Sequence, residues 1–506
     1  MTPRLALRPS DHAIGQPLAS FVEHAGRAPY APALVWRDER ISYGELRAMA
    51  GGAADRLDEL GVPAAGRVAV LSKKTPEAIA LVLACLLTGR PVLLPAPDLR
   101  PGVLRELLGH AGTRRVLSTD PLDGAVPLEP DGAAAPAAAA SDVVTEAPLM
   151  LTTSGSTGLP KVVPVCHDAI ERFADWASGQ FDIRTGTNVL SYCGLNFDLS
   201  LLELWTTLAH GGCAVLVDHE RATHGDYLLD LIDANRVNVV QGVPLLYRLL
   251  LDAAASRRRT LSSVKHAILT GDATPLSVLE RLPRVLENAR LYNVYGCTET
   301  NDSFLYEIEV ERALELGRVP LGKPLPGVSA AIARDGRAVD GASSGELWVS
   351  TPFQTSGYLG PRSHDDCFVA GPEGTYFRTG DLVSRDSSGE TFLEGRDDLQ
   401  VKVRGVRVNL QEVEQTLLGH PDVTEAAVVA VDDEFVGKRP HAVVRRRRGA
   451  GVNSLRLRTH CARRLTPAAI PSTIEVQDEP LPRTTTGKVD RGAVKCHAGA
   501  GAGANG

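Results

Sequence analysis

Between residues 151 and 161 the chain reads Leu-Thr-Thr-Ser-Gly-Ser-Thr-Gly-Leu-Pro-Lys, a composition suited to holding a polyphosphate. Gly155 and Gly158 permit positive φ and close backbone approach, so main-chain N–H groups can point at oxyanions. The hydroxyls of Thr152, Thr153, Ser154, Ser156 and Thr157 add neutral donors, and Lys161 adds a positive charge. A P-loop requires Gly-x-x-x-x-Gly-Lys-Ser/Thr. Here Pro160 precedes the lysine and Val162 follows it, so P-loop chemistry is excluded. Taken alone, the stretch also reads as a polar loop after the apolar run Ala147–Leu151.

The elements that must carry such a loop are legible as a pattern. Val68–Leu71, Pro91–Leu94 and Ala214–Val217 are short apolar runs suited to buried strands, and helical patterns such as Pro76–Leu87 and Tyr227–Asn235 lie between them. This alternation predicts an α/β architecture with helices covering mostly parallel sheets. At 506 residues the chain exceeds one core and predicts more than one domain. Hydrophobic residues make up 43% and charged residues 23%, as in a soluble globular protein. No apolar run is long enough to span a membrane, and the N-terminus lacks a signal-peptide core. The eight cysteines are scattered without metal-ligand spacing, which reads as reduced thiols of a cytoplasmic protein. A net charge of -7 argues against nucleic acid binding, and Arg445–Arg448 reads as a solvated edge. Residues 124–141, rich in alanine, read as a surface connection, and the Gly/Ala-rich residues 496–506 as a disordered tail.

Further motifs follow in a fixed order. They are Tyr43-Gly44-Glu45-Leu46, Asn196-Phe197-Asp198-Leu199-Ser200, Asn293-Val294-Tyr295-Gly296-Cys297-Thr298-Glu299 and Gly345-Glu346-Leu347. After these come Phe377-Arg378-Thr379-Gly380-Asp381-Leu382, Gly395-Arg396-Asp397-Asp398, Arg404-Gly405-Val406-Arg407 and Leu481-Pro482-Arg483-Thr484-Thr485-Thr486-Gly487-Lys488. Together with the Ser/Thr/Gly loop, this series resembles the ANL superfamily of adenylate-forming enzymes, in particular a stand-alone adenylation domain of nonribosomal peptide synthesis. The resemblance implies a large N-terminal domain of α/β subdomains over 1–395 and a small mobile α+β lid over 396–495, hinged at Asp398.

It also implies chemistry: a carboxylate attacks the α-phosphorus of ATP, pyrophosphate leaves, and an acyl-adenylate remains. Thr153, Ser154, Gly155, Ser156, Thr157, Gly158 and Lys161 would hold the phosphates, with Thr157 counted among the catalytic residues. Glu299 would bind Mg²⁺, and Tyr295 would lie along the adenine beside Asn293, Gly296 and Thr298. Asp381, assisted by Arg396, would accept the ribose hydroxyls. Lys488 would reach from the lid to substrate carboxylate and α-phosphate, with Gly487 giving its loop freedom.

Asp198 separates branches of the superfamily, because amino-acid-activating members use this aspartate to bind the α-ammonium group. As a residue it also suits helix capping, since Ser200-Leu201-Leu202-Glu203 has capping-box spacing; Ser200 can serve that purpose itself. By resemblance the rest of the pocket is Phe197, Leu199, Leu202, Gln241, Ile268, Thr270, Val294, Asp302 and Ser303. Gln241, Thr270, Asp302 and Ser303 offer polar contacts and predict rejection of purely aliphatic side chains. Asp302 either pairs with a second amine or hydroxyl of the substrate or faces solvent. The expected substrate is serine, threonine or a diamino acid, with proline as the alternative.

Too few residues follow Lys495 for a carrier domain, which predicts transfer to the phosphopantetheine thiol of a separate carrier protein. An acid:CoA ligase and an inactive binding module are the competing readings. Three departures from the family pattern, Arg90, Ser356 and Asn409-Leu410-Gln411-Glu412, touch none of Lys488, Glu299, Asp381 or Asp198.

Overall fold

A computed structural model describes residues 19–97, 99, 101–113, 115–119, 147–153, 160–360, 366–371, 374–396, 400–403, 406–433, 437–465, 469–484 and 487–502. The chain forms two compact units, one of Met1–Ala330 with Val349–Phe377 and one of Ala331–Trp348 with Arg378–Gly506.

Strands of the first unit are β1 (Pro32–Trp36), β2 (Glu39–Ser42), β3 (Val68–Val70), β4 (Val92–Leu93), β5 (Arg115–Leu117), β6 (Leu149–Thr153) and β7 (Lys161–Val165). They continue with β8 (Asn188–Ser191), β9 (Cys213–Leu216), β10 (Val239–Gly242), β11 (His266–Thr270), β12 (Arg290–Cys297), β13 (Asn301–Glu307) and β14 (Lys323–Pro324). Nine of them form one sheet in the order β14-β13-β12-β11-β10-β8-β9-β1-β2, and five form another in the order β5-β3-β4-β6-β7. The interior pairs β1–β9, β8–β9, β8–β10, β10–β11 and β11–β12 are parallel. Strands such as Val68-Ala69-Val70 and Cys213-Ala214-Val215-Leu216 are apolar along their whole length because helices cover both faces. The helix Pro76–Leu87 begins where the sequence signals it: Thr75 accepts from the Ala78 amide, and Pro76 sits in the first turn, where no donor is lost. Among the described residues no helix is long and apolar enough to cross a membrane.

In the second unit, Asp381–Arg385 pairs antiparallel with Thr391–Arg396, and a three-stranded sheet joins Val423–Asp433, Gly437–Arg446 and Thr473–Gln477. Leu410, Val413, Leu417, Val428, Val444 and Leu457 share its core. The last element among the described residues is a helix, Arg491–Ala502. Its Gly/Ala-rich composition hid two anchors. Val494 is buried with Leu481 and Val429, and Arg491 forms a two-pronged ion pair with buried Glu414 at 2.7 and 2.8 Å.

Candidate active site

In chain order β8 is followed by β9 on one side and then by β10 on the other, so the winding of the large sheet reverses between β8 and β10. In open α/β sheets the carboxyl ends of strands at such a reversal form a crevice for ligands. The expected pocket residues gather here. Gln241 is in register with Ile268, and Thr270 with Val294, so all four lie on one sheet face near the strands' carboxyl ends. Leu202, Ile268 and Val294 share one apolar cluster, and each is at most 2 % exposed.

Asp198 lies on the loop leaving β8, half-buried, and its Oδ1 accepts the Leu199 amide at 2.9 Å. Gln241 fixes the next residue by donating Nε2 to the Leu199 carbonyl at 3.2 Å. The helix after this loop departs from expectation. Leu201–Thr206 is a π-helix in which the Thr206 and Thr207 hydroxyls donate to the carbonyls of Leu201 and Leu202, five residues back. No capping box forms: Ser200 makes no cap bond and donates to the Leu195 carbonyl instead. Glu203, fully buried, points back into the loop and accepts the Cys193 amide at 2.9 Å. Opposite it Lys74, from the segment after β3, donates to the carbonyls of Cys193 and Ser191 and to the Ser191 hydroxyl. One anion and one cation therefore grip the two peptide groups of Cys193, the base of the Asp198 loop. Burial lowers the lysine's pKa to about 8 against the pull of Glu203. Burial likewise raises that of Glu203 to about 7, against the pull of Lys74.

Across the pocket, β12 and β13 form a hairpin that presents Glu299 in its turn and Asp302 just beyond it. Gly296 opposes Asp302 in register, and a Cβ there would lie 2.2 Å from the Asn301 carbonyl oxygen, so only glycine fits. Asn301 takes a left-handed conformation, φ 56°, and its Oδ1 accepts the Asp302 amide. Ser303 is fully buried with its hydroxyl bonded to Thr300 and the Asn301 carbonyl, which makes it part of the turn. Asp302 is 6 % exposed, and its carboxyl oxygens have no hydrogen-bond or ion-pair partner among the described residues. Burial, reinforced by the negative charge of Asp198, pushes its pKa up to about 8.

Glu299 is 9 % exposed and accepts the Tyr358 hydroxyl at 2.5 Å. Burial and the Glu299 charge raise the phenol's pKa, keeping Tyr358 a proton donor. The Lys161 ammonium stands 4.5 Å above the Tyr358 ring, so the lysine of the Ser/Thr/Gly stretch and the glutamate meet through one tyrosine. Lys161 opens β7 directly opposite Thr153 at the end of β6, making the stretch the tip of an antiparallel hairpin. Ser154, Gly155, Ser156, Thr157 and Gly158 lie outside the described residues. Tyr295 packs edge-on against Phe304 at 5.9 Å, Asn293 donates to the Pro320 carbonyl at 2.8 Å, and Thr298 lies in the hairpin turn. A single carboxylate held in place by a phenol suits Mg²⁺, which takes one or two carboxylates and completes its shell with phosphate oxygens.

In the second unit, Asp381, 7 % exposed, stands directly opposite Arg396 across an antiparallel pair. Lys488 is exposed on a turn closed by bonds between Thr484 and Lys488 and between Gly487 and Thr484, with Gly487 at φ 77°. Asp398 lies outside the described residues. Of the departures, Arg90 is buried and bonds the Val62 carbonyl and Asp58, a staple within its own unit. Ser356 is exposed. Lys74, Glu203 and Tyr358 escaped sequence reasoning as site residues. Only Tyr358 carried a signal, its place in the Gly357-Tyr358 pair.

Residues 21–359 match the AMP-binding enzyme family, and residues 412–488 match the AMP-binding enzyme C-terminal domain. The L-proline–[L-prolyl-carrier protein] ligase of Streptomyces coelicolor is 31% identical over 94% of this chain and 94% of its own length. A ligase of the same description from Pseudomonas fluorescens is 29% identical over 92% of this chain and 96% of its own. The O-succinylbenzoate coenzyme A synthetase of Bacillus subtilis, solved with AMP, shares the fold. Its TM-score is 0.78 at 24% identity, over 94% of this chain and 98% of that one. The chain thus belongs to the AMP-binding enzyme family of the ANL superfamily and is an ATP-dependent, AMP-forming ligase.

Proposed function

We propose that the enzyme activates an amino acid as its aminoacyl-adenylate and transfers it to the phosphopantetheine thiol of a separate carrier protein. The observation that carries this reading is Asp198, a carboxylate set on the β8 loop at the sheet reversal, in a pocket whose other polar wall groups are neutral apart from Asp302. A carboxylate so placed suits an α-ammonium group and repels an acid that lacks one. The relatives named as proline–carrier protein ligases support both amino acid and carrier. A small or medium polar amino acid (serine, threonine or a diamino acid) or proline suits the pocket.

Asp198 receives the α-ammonium and thereby orients the substrate carboxylate, while Gln241 keeps the loop in place through the Leu199 carbonyl. The carboxylate oxygen bonds to the α-phosphorus of ATP as the bond to the pyrophosphate oxygen breaks. Lys161 and the hydroxyl-rich tip after β6 hold the phosphate oxygens, Asp381 with Arg396 the ribose, and Tyr295 the adenine. Glu299, fixed by Tyr358, would hold Mg²⁺, which supplies charge neutralisation on the phosphates. Lys488, on the lid of residues 396–495 hinged at Asp398, adds its positive charge where charge develops in the transition state. A cytoplasmic setting agrees with eight free cysteines.

ATP–pyrophosphate exchange across amino acids, followed by loading of a phosphopantetheinylated carrier or of coenzyme A, tests the reading. Amino-acid-dependent exchange with acyl transfer to carrier supports it. Exchange driven only by acids without an α-amine, or transfer to coenzyme A alone, sinks it.

A further inference from the structure

Among the described residues around the pocket, buried Lys74 finds its partners within the scaffold, whereas Asp302 does not. Lys74 has three ammonium hydrogens and three acceptors, Ser191 O, Ser191 Oγ and Cys193 O, so it has none to offer the substrate pocket. Gln241 is committed to the Leu199 carbonyl, Ser303 to its own turn, and Leu202, Ile268 and Val294 are apolar. Beside this neutral wall are two carboxyls, Asp198 on the loop leaving β8 and Asp302 opposite Gly296, two residues beyond the pocket residue Val294. No cation among the described residues forms an ion pair with Asp302, although it is 6 % exposed.

We propose that Asp302 reads a second ammonium group, on the substrate side chain, so that the enzyme activates a short diamino acid. The inference rests on the amino-acid reading above. An α-ammonium alone compensates one of the two carboxylates. A side-chain ammonium a few bonds away compensates the other and leaves the buried set neutral, the condition under which buried charges are tolerated. Proline supplies one ammonium and an apolar ring, leaving Asp302 buried without a partner. Serine and threonine supply a hydroxyl, which a protonated Asp302 could meet as a neutral donor. The two cases differ in protons. Asp302 holds its proton near neutrality in the empty pocket, and a cationic side chain displaces it on binding, whereas a hydroxyl leaves it in place.

The test is ATP–pyrophosphate exchange with L-2,3-diaminopropionate, L-2,4-diaminobutyrate, ornithine, serine, threonine, proline and L-2-aminobutyrate, on the wild type and on Asp302→Asn and Asp302→Glu. A short diamino acid is expected to give the highest kcat/KM. Asp302→Asn should lower the ratio of diaminopropionate or diaminobutyrate to 2-aminobutyrate by on the order of 10²–10³-fold, with Asp302→Glu recovering part of it. An unchanged KM for ATP confirms that each variant is folded. Calorimetry of the preferred diamino acid in buffers of different ionisation heat should show proton release, which Asp302→Asn abolishes. Preference for proline, serine or threonine, or a selectivity ratio untouched by Asp302→Asn, overturns the inference and leaves amino-acid activation standing. Exchange with no amino acid at all overturns the parent reading as well.

Discussion

Replacing Lys74 by methionine tests whether the Asp198 loop is held by opposed buried charges. Methionine keeps most of the buried volume and removes the ammonium, leaving the Cys193 carbonyl without that donor, the Ser191 carbonyl with the Val217 amide alone, and Glu203 buried without its cation. Leaving a buried charge without a nearby counter-charge costs about 3–5 kcal/mol. Glu203, whose pKa burial raises and which loses the opposing pull of Lys74 in this variant, can take up a proton, which limits the loss near neutral pH. Glu203→Gln strands the cation in the same way. If the two charges act on each other through the Cys193 peptide, the double variant should cost less than both singles together by about 2 kcal/mol. Urea denaturation followed by tryptophan fluorescence reads this, because Trp205 is buried in the same π-helix as Glu203. The function should change selectively: KM for the amino acid rises in each single variant while KM for ATP holds. Strict additivity, to within about 0.5 kcal/mol, or an equal rise in both KM values, would refute the coupling.

Tyr358→Phe removes the hydroxyl that holds Glu299, a bond to a charged group worth about 1.5–3 kcal/mol, so the Mg²⁺ concentration for half-maximal exchange should rise roughly tenfold or more. A Mg²⁺ titration at saturating amino acid reads it, and an unshifted midpoint refutes the orienting role. Lys488→Ala should cut pyrophosphate exchange by on the order of 10²–10³-fold with an unchanged circular dichroism spectrum, because its turn is closed by backbone bonds and the side chain is exposed. Near-normal exchange by that variant removes Lys488 from the reaction. Asp302 carries a pKa raised from 3.8 to about 8, so the native state binds its proton more tightly than the unfolded chain. The resulting stabilisation is complete below about pH 4 and disappears as pH rises through 8. Between pH 5 and 8 the wild type should lose on the order of 3–5 kcal/mol relative to Asp302→Asn in urea denaturation. Parallel pH profiles for the two proteins would contradict it.

What the sequence could reveal depended on whether a residue's role is written in its neighbours. Asp198, Glu299, Asp381 and Lys488 each sit inside a stretch whose spacing marks them. Gln241, Ile268, Thr270 and Val294 were named by the family resemblance alone, and their registers, Gln241 with Ile268 and Thr270 with Val294, emerge only in the sheet. Lys74 had no such neighbourhood: it looks like one of two adjacent surface lysines, and its partners lie on a loop far along the chain. Glu203 had the wrong neighbourhood, since four residues with capping-box spacing masked a π-helix whose glutamate turns inward. The helix Arg491–Ala502 was hidden by composition, because its order comes from Val494 and Arg491 finding partners elsewhere in their unit. Local pattern reports local causes, and these three have distant ones.

The distribution of buried charge in the first unit separates scaffold from site. Lys74 and Glu203 neutralise each other on either side of Cys193 and so hold a loop without presenting charge to a ligand. Arg90 is matched by Asp58 in the same manner. Asp302, buried and without a partner among the described residues, keeps its proton near neutrality under the influence of burial and the Asp198 charge, an arrangement that no packing argument requires. Uncompensated buried charge persists where a bound molecule completes it. The unpartnered Asp302 is therefore an argument about the substrate: the missing charge belongs to it, and both the pH dependence of stability that Asp302→Asn removes and the proton release on binding report on that one carboxyl.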